Sequence, residues 1–253
     1  MSIRLALIRR HPIKSVGGEG LERVTLAPAR RLPGDREWAI LTEAGERLAL
    51  SSQTDGVPDR WLPKSAFLRG VLSADLQAIA GGWQGDRLFL SHPRQGRIEI
   101  DPTTEADLLI AWLRPLWPAN AAPPSRLVRG AAIWTDQKWP WLSILSLSSL
   151  RDLESRLGRP LGTHRWRGNL WIDGAAPFAE RDWIGSVIRI GGAELRVTDQ
   201  VGRCDATSAD TETGQRDGDM LADLRRLYGH TDFGIFAEVV TGAEIRINDE
   251  VLP

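Results

Sequence analysis

At 253 residues, 42% of them hydrophobic, the chain is long enough for one large domain or two modest ones, and disorder is excluded as a description of the whole. Thirty-two basic residues balance 33 acidic ones, so a net charge of -1 supplies no global field to draw in nucleic acid or an anionic membrane, and any anion site is local. A single cysteine excludes an internal disulfide, an iron–sulfur cluster and a cysteine-rich zinc site, which leaves single-thiolate chemistry.

The amino terminus, Met1-Ser2-Ile3-Arg4 and soon Arg9-Arg10, has no apolar stretch of signal-peptide or membrane-spanning length, so a cytoplasmic location is expected. Apolar residues run or alternate between Pro and Gly breaks at Ile3 to Arg10, Leu21 to Leu26 and Arg36 to Leu41, which predicts short strands. Arg87 to Leu90 and Arg97 to Ile100 read as a hairpin around His92-Pro93-Arg94-Gln95-Gly96. Asp101-Pro102 offers a cap and a first helical residue for a helix carrying Ala106, Leu109, Ile110, Leu113 and Leu116.

The stiff segment Asn120 to Ser125, with Ala121-Ala122-Pro123-Pro124, suits a connection between two lobes, with the boundary near it. Beyond it, Leu150, Leu153 and Leu157 mark a helix after Ser148-Ser149, and Asp217 to Tyr228 forms another that Gly229 stops. Strands are predicted at Asn169 to Asp173, Val187 to Ile190, Glu194 to Val197, Gly234 to Val240 and Ala243 to Ile247. Many short strands with few helices give a mainly β, α+β reading with a barrel as the expected architecture. Eleven tryptophans, concentrated at Lys138-Trp139-Pro140-Trp141, read as wedges of core packing before they read as stacking surfaces.

Arg165-Trp166-Arg167-Gly168-Asn169-Leu170-Trp171-Ile172-Asp173-Gly174-Ala175-Ala176-Pro177-Phe178, then Glu180, Asp182-Trp183 and Ile190-Gly191, resembles the central motif of the MOSC (molybdenum cofactor sulfurase C-terminal) family. Arg203-Cys204 falls where that family has its cysteine, and Thr207, Asp210, Gly214, Phe233-Gly234-Ile235-Phe236 and Gly242 fit its continuation. His11-Pro12-Ile13-Lys14-Ser15, Gly17-Gly18 and Gly34-Asp35-Arg36-Glu37-Trp38-Ala39 resemble the β-barrel domain that precedes MOSC in longer members. The resemblance implies two β-barrel-like domains with a few short peripheral helices, an N-terminal one over 1–120 and MOSC over 121–253. It further implies a molybdenum cofactor (molybdopterin) between them, as in bacterial and mitochondrial enzymes of the amidoxime-reducing type. Gly168, where relatives have proline, and Asn248-Asp249 depart from the pattern; Glu46 to Gly70 does not resemble the reductases, and its Trp61 to Phe67 stretch is expected to line the substrate entrance.

Molybdenum in a pterin dithiolene is a soft-ligand site that a protein thiolate completes, and the resemblance makes Cys204 that ligand and the catalytic residue. Taken alone, a lone cysteine reads as a small buried hydrophobe. Arg203, adjacent to it, favours a thiolate only if its side chain folds inward. The cofactor's phosphate and ring groups call for fixed cations and small hydrogen-bonding groups, types that Lys14, Ser15, Arg36, Ser146, Arg167 and Asn169 supply. Solvated charge is the plain alternative for Lys14 and Arg36, a strand-edge role for Asn169, and helix capping for Ser149; Asp173-Gly174 reads as a turn. Four scattered histidines lack the paired spacing of a zinc hydrolase, and Gly17-Gly18-Glu19-Gly20 lacks the Lys-Ser or Lys-Thr of a P-loop.

The expected function is therefore a molybdenum-cofactor-binding oxidoreductase that reduces N-hydroxylated or N-oxide small molecules. With no flavin, haem or iron–sulfur motif, a separate electron-transfer protein or reductase is its implied partner. The alternatives are a carrier of cofactor or sulfur working with a maturation partner, since MOSC domains also end pyridoxal-phosphate-dependent sulfurases, or a non-catalytic barrel that binds small molecules.

Overall fold

The computed structural model describes residues 2–50, 53–54, 57–58, 61–130 and 134–253. In chain order the strands are β1 (Arg4–Arg10), β2 (Glu19–Leu21), β3 (Arg23–Thr25), β4 (Trp38–Thr42), β5 (Gln53–Thr54), β6 (Val57–Pro58), β7 (Ala80–Gln84), β8 (Arg87–His92), β9 (Gly96–Ile100) and β10 (Pro124–Arg129). They continue with β11 (Leu142–Ser146), β12 (Leu170–Asp173), β13 (Val187–Ile190), β14 (Ala193–Gly202), β15 (Asp232–Thr241), β16 (Glu244–Arg246) and β17 (Val251–Leu252). Four helices sit among them: α1 (Glu43–Leu50), α2 (Ala106–Leu113), α3 (Leu147–Leu157) and α4 (Met220–Tyr228). The fold is mainly β, as the pattern of short apolar runs required.

The largest sheet has the order β17-β13-β14-β15-β11-β12-β1-β2. This order is open rather than a closed ring of strands. The stretch leading into β17 nevertheless reaches β1: Leu5 N donates to Asp249 O at 2.9 Å, Asn248 N to Leu5 O at 2.7 Å and Val251 N to Ile3 O at 2.9 Å. The first strand of the chain is thus an interior strand of a sheet built otherwise almost wholly from residues beyond 141. Leu5 and Ile8 join Ile144, Leu170, Leu195 and Ile235 in its core, each at most 1% exposed. Apolar burial of this kind stabilises by about 25 cal/mol per Å².

A second apolar cluster joins Ile13, Val16 and Ile40 to the antiparallel sheet β7-β8-β9 and to α2. In β8 the even positions are buried and the odd ones half-buried, the period-2 signature behind the predicted hairpin. The expected strand Leu21 to Leu26 is two strands, interrupted at Glu22, whose carbonyl accepts from Ile247 N at 3.0 Å.

Helix starts differ from the sequence expectation for identifiable reasons. The helix assigned to the Asp101 cap begins at Ala106, because the Asp101 carboxylate bonds Thr103 N at 2.8 Å and both following threonine hydroxyls, closing a local turn instead. The helix drawn from Asp217 begins at Met220 behind the Asp219 cap, since Asp217 is held by Arg165 and Arg159. Gly229 stops it in the left-handed region, at φ 78°, as predicted.

Candidate functional site

Two anchors place the first site residues. Ile13 and Val16 are each 1% exposed in the second core cluster, and the turn between them, closed by Val16 N to Ile13 O at 3.2 Å, presents Lys14 and Ser15. This turn is tied to the entry of β4 by Lys14 N to Trp38 O at 2.8 Å and Arg36 N to His11 O at 2.6 Å. Ser15 (φ 63°), Arg36 (φ 50°) and Arg167 (φ 49°) all hold left-handed backbone conformations, unusual for residues with a side chain. Such strain gathers where a site over-determines its geometry.

On the other side, His164–Trp166 form a one-turn 3-10 helix that Trp166 locks by stacking on Phe233, centroids 4.0 Å apart. A register shift in β14 between Gln200 and Gly202 redirects the chain just before Arg203 and Cys204. Cys204 is exposed, and its carbonyl accepts from Thr207 Oγ1 at 2.9 Å and Thr207 N at 3.1 Å, which fixes the backbone that carries the thiol.

These elements surround a cavity of about 370 Å³, within the range of small-molecule sites. Lys14, Ser15, Arg36, Arg167, Asn169, Arg203 and Cys204, expected from sequence, all line it. Ser146 does not: it is fully buried, and its Oγ accepts from Ser149 N at 3.3 Å as the cap of α3. The capping role expected of Ser149 thus belongs to Ser146, while the Ser149 hydroxyl donates to buried Glu180 at 3.0 Å. Asp173 lies away from the cavity, bonding Arg151 and its own following amide at 2.8 Å, a turn as read.

The cations of the cavity crowd one another. Burial pulls Lys14 below the usual ammonium range, Asp136 at 2.5 Å opposes this, and Arg36 and Arg167 depress it further. Burial also brings Arg167 down to about 9, with the charge of Arg36 acting in the same direction. Arg203 is likewise held at about 9 by burial, against an opposing attraction from Cys204 and with a further push from Arg36. Burial alone would raise Asp35, but the Arg36 guanidinium and hydrogen bonds from His11 hold it well below the carboxylate range. Seven cationic side chains and one carboxylate, Asp136, line the cavity among the described residues.

The Arg203 guanidinium is held by backbone carbonyls. Its Nη1 donates to Trp166 O at 2.8 Å and its Nε to Phe233 O at 2.9 Å, over the Trp166 ring. Arg167 similarly donates to Gly17 O at 2.7 Å and Ile13 O at 3.2 Å. Asn169 Oδ1 accepts from Ser143 N at 3.2 Å and its Nδ2 reaches Arg9 O at 3.4 Å, so its side chain also ties β1, β11 and β12 together.

Sequence reasoning did not single out Arg69 or Asp136, and read Phe236 only as part of a strand motif; all three also line the cavity. Within the 46–70 segment, residues 51–52, 55–56 and 59–60 lie outside the described residues; Lys64, Arg69 and Gly70 reach the cavity, whereas Phe67 is 2% exposed and packs on Trp134. Six of the eleven tryptophans are buried as expected, but Trp141 lines the cavity and Trp139 is 58% exposed, so that pair is not core packing. Among the described residues no three His, Cys, Asp or Glu side chains gather as metal ligands.

Residues 141–252 match the family model described as MOSC domain. A molybdenum cofactor sulfurase of Drosophila willistoni is 32% identical over 110 residues, 42% of this chain and 14% of that protein. The mitochondrial amidoxime-reducing component 1 of Mus musculus is 38% identical over 74 residues, 29% of this chain and 21% of that protein. The chain therefore spans about a fifth or less of these relatives' own lengths. Among solved structures, the YUAD protein from Bacillus subtilis aligns over 99% of this chain and 94% of its own at 12% identity, with a TM-score of 0.47.

Proposed function

Residues 141–252 match the MOSC domain model, and from that premise we propose that the chain is a molybdenum-cofactor-dependent oxidoreductase acting on N-hydroxylated or N-oxide compounds. The observation that carries this reading is an exposed thiol, Cys204, at the edge of a crowded cationic cavity. The donor set fits the group: one soft thiolate suits a metal otherwise held by dithiolene sulfur, and Lys14, Arg36, Arg167 and Arg203, opposed by Asp35 and Asp136, leave a positive excess for an anion.

In this reading Cys204 is the protein's ligand to molybdenum. Lys14, Ser15 and Arg36 receive the cofactor's phosphate, with Lys14 exchanging Asp136 for the anion. Arg167, Arg203 and Asn169 hold the walls through their backbone bonds and add positive potential. Bound, the cofactor supplies two-electron exchange with a substrate oxygen atom; the chain's residues bind, orient and shield that centre. Electrons come from a separate protein. The single thiol is kept reduced in the cytoplasm, the compartment this reading assigns.

The likeness to a molybdenum cofactor sulfurase supports a second reading, a carrier of cofactor or sulfur that serves a maturation partner. In that case any pyridoxal phosphate belongs to the partner. Turnover separates the two: protein from cells with active cofactor synthesis, reduced by viologen, is assayed with benzamidoxime. The reductase reading expects steady turnover that Cys204→Ser abolishes; no turnover, with molybdenum delivered to a cofactor-free acceptor enzyme, establishes the carrier instead.

A further inference from the structure

The cations of the cavity divide by what holds them. Lys14 faces Asp136, Arg36 pairs with Asp35, Arg165 pairs with Asp217, and Arg167 and Arg203 are committed to backbone carbonyls. Arg69 is different. Among the described residues its guanidinium has no acceptor, and its Nε is buried without a hydrogen-bond partner. A buried donor left in that state is costly, and Arg69 also lines the cavity, where its guanidinium can meet an acceptor on a ligand.

The position of Arg69 is set against the turn that carries the thiol. Gly70 packs so closely that a Cβ there would come within 1.8 Å of Gln77 Nε2 and 3.3 Å of the Ala206 Cβ, two residues past Cys204. Val71 O accepts from Arg216 Nη2 at 3.2 Å, and Arg216 in turn pairs with Asp205. An aromatic wall shares the same cavity. Trp141 and Phe236 line it with centroids 5.9 Å apart, and exposed Trp139 stacks on Trp141 at 6.1 Å and 24°. Such a ledge, running from solvent to the cavity, suits a flat ring in offset stacking.

Resting on the reductase reading, the geometry points to a planar aromatic acid as the substrate class, its ring on Trp141 and its carboxylate on Arg69. A guanidinium reads a carboxylate through two parallel N–H donors, which a lysine does not reproduce. Arg69 is then a specificity residue, and it lies in the 46–70 stretch where the sequence departs from the reductase resemblance.

The test is equilibrium binding, by calorimetry and tryptophan quenching, of 4-carboxybenzamidoxime, benzamidoxime and the cyclohexane analogue of the first. Wild type, Arg69→Gln and Arg69→Lys are each titrated with and without cofactor, and their molybdenum content and thermal unfolding are measured. Wild type is expected to favour the aromatic acid over the neutral compound by about tenfold or more, the size of one charge-assisted bond. Arg69→Gln is expected to lose that preference while keeping its metal, Arg69→Lys to keep part of it, and the cyclohexane analogue to bind more weakly than the aromatic acid. Equal affinity of wild type for acid and neutral compound, an undiminished preference in Arg69→Gln, or loss of molybdenum in that variant overturns the proposal. A cofactor-free chain that still prefers the acid through Arg69, and never acquires molybdenum, sinks the reductase reading alone.

Discussion

Arg36 is the charge around which the cavity is organised: it pairs with buried Asp35, donates to Arg167 O at 2.9 Å, and depresses the ionisation of Lys14, Arg167 and Arg203. Arg167 and Arg9 act on a histidine as well. Burial, aided by Arg167, lowers His164 to about 4, although its bond to Ile79 O at 3.2 Å opposes the shift. An unfolded imidazole titrates near 6.5, so between about 6.5 and 4 the unfolded chain holds more protons. Stability is therefore full above that window and falls through it as pH drops, by about 3 kcal/mol for this one group. Urea unfolding from pH 7.5 to 4 is expected to show a shallower loss in His164→Gln than in wild type; identical slopes would remove His164 from the account. At this scale the sequence was readable where a motif spelled it out, as with Lys14, Arg36, Arg167 and Cys204. Arg69 and Asp136 carry no motif, and what matters about them, a missing partner and a 2.5 Å partner 122 residues away, exists only after folding.

Elements show the same division between local and distant causes. The α3 helix was legible from Leu150, Leu153 and Leu157, and its stop, Gly158 at φ 67°, follows the same logic as Gly229. Its cap was not, because a run of serines at 146, 148 and 149 offers three candidates and only packing decides among them. Ser146, at the end of fully buried β11, caps the helix, and Ser149 turns to Glu180. Ser146→Ala is expected to cost about 1 kcal/mol of stability in thermal unfolding, the usual weight of a cap, and to retain bound molybdenum. Loss of metal without loss of stability would return Ser146 to the cofactor site. The late starts of α2 and α4 have a similar origin, since Asp101 and Asp217 use their carboxylates elsewhere.

For the whole molecule, composition and strand spacing gave the mainly β class, but not the partners of each strand. β1 crosses to lie between β12 and β2, and residues 3–5 bond to 248–251, pairings that join opposite ends of the chain and leave no trace in local pattern. That long-range closure, with the turn at Lys14-Ser15 set against the entry of β4 and the Cys204 turn set against the 69–71 stretch, is what brings distant motifs around one cavity. The central claim is that this cavity holds molybdenum through Cys204. Elemental mass spectrometry of wild type and Cys204→Ser, expressed in cells with active cofactor synthesis, tests it most directly. The account predicts near-stoichiometric molybdenum in wild type and its loss in the variant. No metal in either protein, beside a loaded control enzyme, or equal metal in both, would contradict it.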